Sequence, residues 1–234
     1  MPIITRKFMG RFGNQLFQYA FARAHAERNN CELKTDPWIG EHIFGISHAR
    51  IDVELEQVMD RDLGDARINV EIRGYSQLTK CGIYTQAQVR SWFKLKPEVE
   101  YAMRRLMPEN LSHRRVGDYT GSPYPIISEK SYRDAWERWG IKPMNFVMEE
   151  NPVRYGGLPP FLPDFYRMTI APILFRGNSS FSWWAGALSH GVVFSPKTVG
   201  LEYQREHDGV EFQPDNWARI CDLNEVEPIC LASK

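Results

Sequence analysis

Short apolar runs alternate with helical patterns along this chain of 234 residues, and this alternation restricts its fold more than any other feature. Residues 3–9 are typical of a first strand, and a glycine-containing turn follows at residues 10–13. Over residues 14–28 the apolar positions fall on one helical face, and residues 31–35 are typical of a second short strand. Strand, helix and strand in this order predict an α/β fold with doubly wound parallel sheets.

The second half of the chain repeats the pattern. The helical candidates are residues 96–107, which Pro108 ends, residues 132–139, which Gly140 closes, and residues 164–171. The strand candidates are residues 110–114, 145–148, 173–175 and 192–195. A chain of this length forms one large domain or two small ones. We place the division after residue 107, which gives domains 1–107 and 108–234.

The most informative local segment is residues 178–184, Asn-Ser-Ser-Phe-Ser-Trp-Trp, which joins a strand candidate to a helical pattern at residues 185–190. At a helix N-terminus, backbone N–H groups without helical partners and the helix dipole favour a bound anion. Asn178, Ser179, Ser180 and the backbone around Phe181 are therefore candidate phosphate ligands. The alternative is a serine N-cap followed by two core tryptophans.

Two further blocks precede this segment. Residues 10–20 read Gly-Arg-Phe-Gly-Asn-Gln-Leu-Phe-Gln-Tyr-Ala, residues 113–119 read His-Arg-Arg-Val-Gly-Asp-Tyr, and a smaller block, Gly-Tyr-Ser-Gln, lies between them at residues 74–77. In this order the blocks resemble those of the α1,2-fucosyltransferase family. The first block is also similar to the opening of protein O-fucosyltransferases. The resemblance runs from residue 3 to about residue 200.

The resemblance implies a compact GT-B-like fold, in which two Rossmann-like domains face a cleft, with the acceptor-side domain first and the donor-binding domain second. It implies an enzyme that transfers L-fucose from GDP-fucose to a sugar hydroxyl of a glycan acceptor, with inversion and in an α1,2 linkage. GDP-fucose is then a substrate, and no cofactor and no metal are expected. Two alternatives stay open: another nucleotide-sugar donor, or a non-catalytic nucleotide- or carbohydrate-binding protein.

The resemblance assigns Arg115 to the β-phosphate of the donor. A guanidinium can hold two phosphate oxygens through parallel hydrogen bonds, and it keeps its charge while the nucleoside diphosphate leaves. The alternative is an arginine in a surface ion pair with Asp118. Asp118 is itself our candidate for the general base that takes the acceptor's proton, although its carboxylate could equally orient Arg115.

A carboxylate is the natural partner of guanine, whose N1–H and 2-amino group are paired donors. Asp164 lies sixteen residues before Ser180, a spacing similar to that of the guanine-reading aspartate in other GDP-fucose enzymes, and the resemblance makes His113 its companion. The alternative is that Asp164, which follows Pro163, caps the helix that begins there.

The N-terminal loop is not a dinucleotide-binding fingerprint, because Gly10 and Gly13 lack the third glycine and enclose a bulky phenylalanine. We expect Arg11, Asn14 and Gln15 to face the donor instead. Asn14 is equally suited to cap the first helix.

Residues 60–62, Asp-Arg-Asp, match the D-x-D pattern with which metal-dependent glycosyltransferases hold a divalent ion. They lie in a charged run, and no apolar strand precedes them in the sequence. We therefore interpret them as a solvated loop.

Composition sets limits on partners. Lysine plus arginine equal aspartate plus glutamate at 29 each, so no overall field favours nucleic acid or an anionic membrane. The four cysteines are widely spaced, without a C-x-x-C pair, and predict no metal site. The sequence shows neither a signal peptide nor an apolar stretch long enough to span a bilayer, so we expect a cytoplasmic protein of bacterial or viral origin.

Aromatic residues such as Trp38, Tyr75 and Tyr119 could stack on acceptor sugars, with Trp38 equally suited to the core.

The role of Asp118 can be tested directly. If Asp118 is the general base, Asp118→Asn abolishes fucosyl transfer and leaves GDP affinity unchanged, because the amide cannot take a proton but keeps the shape of the carboxyl group. Enzyme assays and calorimetry measure the two quantities separately. Full activity in the variant would exclude the base role, and a parallel loss of GDP affinity would show that Asp118 orients Arg115.

Overall fold

The computed structural model describes residues 1–77, 81–120, 126–147, 157–196 and 220–221, without the side chains of Asp118, Pro196, Ile220 and Cys221. The chain divides into two compact units, Met1–Lys96 and Pro97–Lys234. The division predicted after residue 107 stays a prediction about domains; in the structure the helix that starts at Pro97 lies in the second unit.

The first unit is built on a five-stranded sheet with the order β3-β2-β1-β5-β4, in which every strand pair is parallel. Its strands are β1 (Ile3–Arg6), β2 (Glu32–Thr35), β3 (Ala49–Arg50), β4 (Glu56–Met59) and β5 (Val70–Arg73). Its helices are α1 (Phe12–Arg28), α2 (Gly40–Ile43) and α3 (Gln86–Trp92), with a short 3-10 turn at Asp60–Asp62. The chain builds one side of β1 first and then returns to the other side with β4 and β5.

The second unit repeats this plan with the order β10-β9-β8-β6-β7, again all parallel. Its strands are β6 (Leu111–His113), β7 (Asn145–Val147), β8 (Ile173–Phe175), β9 (Val192–Pro196) and β10 (Ile220–Cys221). Its helices are α4 (Pro97–Met103), α5 (Glu129–Arg138), α6 (Leu162–Ile170) and α7 (Ser180–Leu188), with a 3-10 turn at Gly117–Tyr119. The predicted α/β fold with two doubly wound parallel sheets is confirmed.

Large aromatic side chains fix the core of the second unit on one face of its sheet. Phe175 and Phe194 are register partners on neighbouring strands, and their rings stack at 4.3 Å. Tyr132 and Trp136 of α5 belong to the same buried cluster. Their polar atoms are bound to β6, since the Tyr132 hydroxyl donates to the His113 carbonyl at 2.7 Å and Trp136 Nε1 donates to Ser112 Oγ at 3.2 Å. These two bonds orient α5 on the strand that leads to the predicted central motif.

The D-x-D segment is not the solvated loop that the sequence predicted. Strand β4 leads directly into it, and Asp60 is only 6% exposed. Its carboxylate accepts hydrogen bonds from the backbone N–H groups of Arg61 and Ser76. The strand escaped prediction because β4 lies at the sheet edge and buries only Val58. Asp60 is therefore a residue that anchors the backbone of the first unit.

Gly191 offers a test of the turn that leads into β9. A Cβ at this position would lie under 3.0 Å from the carbonyl oxygens of Ala171 and Pro172. Those atoms cannot yield easily, because Val192 N donates to Pro172 O at 2.9 Å. Gly191→Ala should therefore lower the free energy of unfolding by about 1–3 kcal/mol, measured by urea denaturation.

Gly157→Ala is the matched control, because none of the described residues lies within 4 Å of the added methyl group. We expect its free energy of unfolding to stay within about 0.5 kcal/mol of the parent value. Equal urea midpoints for the two variants would contradict the packing described here.

Candidate functional site

The strand order of the second sheet marks the place where a ligand would bind. The chain runs from β6 outward to β7, then returns to the opposite side of β6 to form β8. In doubly wound sheets, ligands bind outside the carboxyl ends of the strands at such a reversal. The segments that leave this edge are His113–Arg115 after β6 and Arg176–Ser179 after β8. Two of the three predicted motifs therefore lie side by side.

The segment after β8 is a tight turn into helix α7. The helix begins at Ser180, and Ser179 is its N-cap, accepting a hydrogen bond from Ser182 N at 3.3 Å. Ser182 Oγ donates to the Gly177 carbonyl at 3.0 Å and closes the turn. The serine N-cap is thus confirmed and the helix starts earlier than predicted, so both tryptophans belong to it. The predicted anion site is compatible with this capping, because the first backbone N–H groups of α7 point out of the helix end at the edge of the sheet.

Arg115 is buried at this edge, with only 8% of its surface exposed. Its guanidinium lies 5.5 Å from the ring centre of Tyr119. The Tyr119 hydroxyl donates to the Asn178 carbonyl at 3.1 Å, so the 3-10 turn after β6 is tied to the turn after β8. Asp118 lies in the same 3-10 turn, but its side chain lies outside the described residues. Its predicted roles therefore remain predictions.

The neighbouring arginine, Arg114, binds the segment that leads into α5. Arg114 Nε donates to the Ile127 carbonyl at 3.0 Å, and Arg114 Nη1 contacts Glu129 Oε1 at 2.9 Å. These bonds hold the segment before α5 against the end of β6. Of these two adjacent arginines, Arg115 is the one that lies in the candidate site.

His113 is completely buried, and its pKa is lowered to about 3. Burial is the main cause, and the positive charges of Arg115 and Arg176 add to it. A Cβ on Gly177 would lie 2.9 Å from His113 Nδ1 and from its carbonyl oxygen, so the turn packs directly on this histidine. The structure places His113 beneath the turn. Its predicted role as the companion of the guanine-reading aspartate stays a prediction.

Arg176 is a site residue that the sequence analysis did not identify. It is 2% exposed, directly after β8. Arg176 Nη1 donates to the Gly177 carbonyl at 3.1 Å, and Arg176 Nε donates to Ser195 Oγ of β9. The site thus contains a second buried guanidinium, which braces the turn. A charged residue at the end of an apolar strand, next to a glycine turn, was the signal that could have revealed it.

Asp164 lies in the first turn of α6, but it does not cap the helix. The N-cap is Phe161, so the capping alternative is wrong. Phe161 and Phe165 pack on Phe181 of α7, with ring centres 5.9 and 5.3 Å away, which brings this end of α6 to the start of α7. Asp164 Oδ1 accepts from Arg167 Nη1 at 3.2 Å. Burial raises the pKa of the Asp164 carboxyl, and Arg167 opposes that rise.

The first unit has the same geometry at its own sheet. The chain reverses between β1 and β5, and the Gly10 loop and residues 74–77 follow these strands. Arg11 is the N-cap of α1, without a side-chain cap, so Asn14 is not the cap. Asn14 Oδ1 accepts from Gln77 Nε2 at 2.9 Å, and Gln15 Nε2 donates to the Gly10 carbonyl at 3.1 Å. The first block and the Gly-Tyr-Ser-Gln block therefore contact each other.

A buried hydrogen-bond network holds the loop at residues 74–77. Arg6 is fully buried and donates to the carbonyls of Ile72 and Gly74, while Asp60 binds Ser76 N from the other side. Burial lowers the pKa of Arg6 to about 10, which leaves it charged at neutral pH. Gly74 and Ser76 both have positive φ, at 99° and 55°. Between them Tyr75 is 48% exposed.

The three aromatic residues predicted to meet sugars differ in burial. Trp38 is 5% exposed and stacks between Phe8 and Tyr19, so it is a core residue. Tyr119 is buried in the bond to Asn178. Only Tyr75 of these three presents a ring surface to solvent.

Several further properties concern the described residues alone. They contain no group of three metal-ligating side chains, and no helix among them is long and apolar enough to cross a membrane. Cys31 is a free thiol, and Cys81 is buried. Cys230 and the side chain of Cys221 lie outside the described part.

No family model and no curated protein matches this sequence. Solved structures do. The fucosyltransferase NodZ from Bradyrhizobium matches with a TM-score of 0.54 at 12% identity, over 80% of this chain and 93% of that one. NodZ α-1,6-fucosyltransferase co-crystallised with GDP gives 0.53 at 12% identity, over 80% and 92%. A mutant of Arabidopsis thaliana FUT1 in complex with GDP gives 0.51 at 12% identity, over 82% and 69%.

At such low identity these similarities show the fold. The chain has the parallel-sheet α/β architecture of GT-B glycosyltransferases in a compact form, as the sequence predicted.

Tyr119→Phe tests the tie between the two turns. The variant keeps the ring beside Arg115 and removes the hydrogen bond to the Asn178 carbonyl. We expect the free energy of unfolding to fall by about 1 kcal/mol. We expect affinity for pyrophosphate to fall about fivefold, because the turn loses preorganisation. Urea denaturation and calorimetry measure the two effects.

Tyr101→Phe is the control for this test, because Tyr101 is 63% exposed. Its stability and pyrophosphate affinity should equal those of the parent protein. A Tyr119→Phe variant indistinguishable from Tyr101→Phe would show that the tie is unimportant.

Proposed function

We propose that this protein is an inverting glycosyltransferase that transfers L-fucose from GDP-fucose to a sugar hydroxyl of a glycan acceptor. The observation that carries the proposal is the position of Arg115. It is buried at the reversal of the second sheet, next to the turn that begins α7. A guanidinium and a helix N-terminus that meet at such an edge form a site for a diphosphate.

The chemistry of the transfer explains these residues. Negative charge grows on the diphosphate as the glycosidic bond breaks, and catalysis requires fixed positive groups where that charge develops. Arg115 would bind the β-phosphate, and the N–H groups at the start of α7, with Asn178, Ser179 and Ser180, would bind the remaining oxygens. Arg176 adds a second positive charge and holds the Gly177 carbonyl in place. His113 is buried beneath the turn, and because burial lowers its pKa it adds no further charge to the site.

The guanine base is proposed to bind at Asp164. The Asp164 side chain is 8% exposed and lies one residue before Phe165, which packs on Phe181 at the start of α7. A carboxylate here can accept both the N1–H and the 2-amino group of guanine. Neither uracil nor adenine presents this pair of donors, so the proposal predicts selectivity for GDP.

In the first unit we assign Arg11, Asn14 and Gln15 to the donor and Tyr75 to an acceptor sugar. Tyr75 is exposed, and the buried Arg6 and Asp60 fix the backbone on both sides of it. The α1,2 linkage rests on the three sequence blocks. Asp118 is the proposed base, and the reaction is proposed to need no metal, since the charge of the leaving group is met by arginine and the helix end.

The first experiment is calorimetric titration of the parent protein with GDP, GDP-fucose, GDP-mannose and UDP in the presence of EDTA. Selective GDP binding is expected. Arg115→Ala should weaken it about 10- to 150-fold, the range for a lost charge-assisted contact. Arg133→Ala is the control, because Arg133 is exposed and pairs with Glu129 on the surface of α5. Its affinity should not change.

The other outcomes have defined meanings. A preference for UDP, or binding only after a divalent metal is added, would contradict the GDP-fucose assignment and support another nucleotide-sugar donor. Binding of GDP without turnover of GDP-fucose against a panel of glycans would support a non-catalytic binder. Absence of any nucleotide binding would reject the proposal.

A further inference from the structure

Three charged side chains form a continuous hydrogen-bonded network at helix α6. Arg167 Nη1 donates to Asp164 Oδ1 at 3.2 Å, and Arg167 Nη2 donates to Glu109 Oε1 at 2.8 Å. The second oxygen of Glu109 accepts from Asn145 Nδ2 at 3.1 Å. The network therefore runs from the first turn of α6 to the segment before β6 and to the first residue of β7. Both terminal nitrogens of the Arg167 guanidinium therefore donate to a carboxylate.

The side chains of this network become more buried from Glu109 to Asp164. The exposed fractions of the side chains are 38% for Glu109, 23% for Arg167 and 8% for Asp164. A fully exposed ion pair of this kind would contribute little, because water screens it. At Asp164 the carboxylate is largely withdrawn from water, so a fixed cation beside it both offsets the cost of the charge and sets the direction of the carboxyl group.

Arg167 engages one of the two carboxylate oxygens. Among the described residues it is the hydrogen-bond partner of Asp164, and the bond is made to Oδ1. Oδ2 and the second lone pair of Oδ1 can still accept hydrogen bonds from a ligand. A single bond to Oδ1 also fixes the rotation of the carboxyl group, because Asp164 and Arg167 are one helical turn apart.

We propose that Arg167, held by Glu109, is a positioning residue that fixes the Asp164 carboxylate to accept the paired N–H donors of a guanine ring. The inference rests on the proposed function and deepens it, because it names the residues that set base selectivity. Hypoxanthine lacks the 2-amino donor, and adenine has an acceptor at N1. A fixed carboxylate therefore ranks the diphosphates in the order GDP, IDP and ADP.

The same geometry sets the pH dependence of binding. Burial raises the pKa of Asp164, and the charge and hydrogen bond of Arg167 lower it. The hydrogen bond from Arg167 lowers the pKa of Glu109, which keeps Glu109 ionised. Helix α7, which packs against α6, has no ionisable side chain between Ser180 and Leu188, and His113 on β6 is neutral. Arg167 is therefore the group that holds Asp164 in its accepting, deprotonated form.

The test compares Arg167→Gln, Arg167→Lys and Glu109→Gln with the control Arg133→Gln, each titrated with GDP, IDP and ADP between pH 5 and 8. Arg167→Gln should weaken GDP binding about tenfold and reduce the GDP-to-IDP preference, while ADP affinity stays the same. Its GDP affinity should also be lost at a higher pH on acidification than in the parent, because the pKa of Asp164 rises further. Glu109→Gln should show the same changes at smaller size.

The lysine variant separates charge from geometry. Arg167→Lys keeps the positive charge but cannot bind both carboxylates with one planar group. It should therefore retain the parent pH profile and lose part of the preference for GDP over IDP. Thermal unfolding of each variant checks that the fold is intact, and Arg133→Gln reports the effect of removing a surface arginine.

Failure of the inference and failure of the proposed function give different results. A parent protein that binds no nucleoside diphosphate overturns both. A parent that binds GDP, IDP and ADP equally keeps the diphosphate site but overturns base reading by Asp164. A parent that prefers GDP, with an Arg167→Gln variant of equal affinity, preference and pH profile, overturns the role of Arg167 alone.

Discussion

The parallel pairing of β6 with β8 is the interaction on which the candidate site depends. Its register sets Ser112 opposite Phe175. The segments that follow the two strands therefore leave the carboxyl end of the sheet side by side, one with Arg115 and the other with Arg176. Backbone pairing of this kind is precise, because each residue is fixed by the ladder on both sides. Gly177 completes the arrangement, since a larger residue would collide with His113.

Much of the fold could be predicted from the sequence, and the failures have a common cause. Strands with a continuous apolar run, such as β1 and β8, were found, as were the longer helices. The strands β3, β4, β5 and β10 and the short helices α2 and α3 were missed. β3 and β4 lie at a sheet edge and bury almost nothing, whereas β5 is central but carries Glu71 and Arg73. Glu71 is 3% exposed and is paired with Lys7 and Arg73 across short distances. A strand whose buried charge is neutralised by neighbours has no apolar pattern to read.

The candidate site could likewise be predicted only in part from the sequence. Its position could be predicted, because the sequence blocks carry chemistry in consecutive residues: Arg115 after β6, and Asn178 to Ser180 before α7. The residues that hold those groups could not be predicted. Tyr119, Arg176 and Arg167 act through bonds to partners 59, 19 and 58 positions away, to Asn178, Ser195 and Glu109. Such contacts exist only once the sheet has brought distant segments together, and a single sequence does not record them.

The buried His113 also links the folding of the second unit to acidity. In the folded protein its pKa is about 3, whereas an unfolded chain would titrate near the ordinary value of 6.5. Between these two values the unfolded chain binds a proton that the folded chain refuses, so stability falls as the solution is acidified, by up to about 1.4 kcal/mol for each pH unit. Because His113 stays neutral in the folded protein, it adds no charge beneath the turn, and the proton that it excludes makes the fold around it less stable as the pH falls.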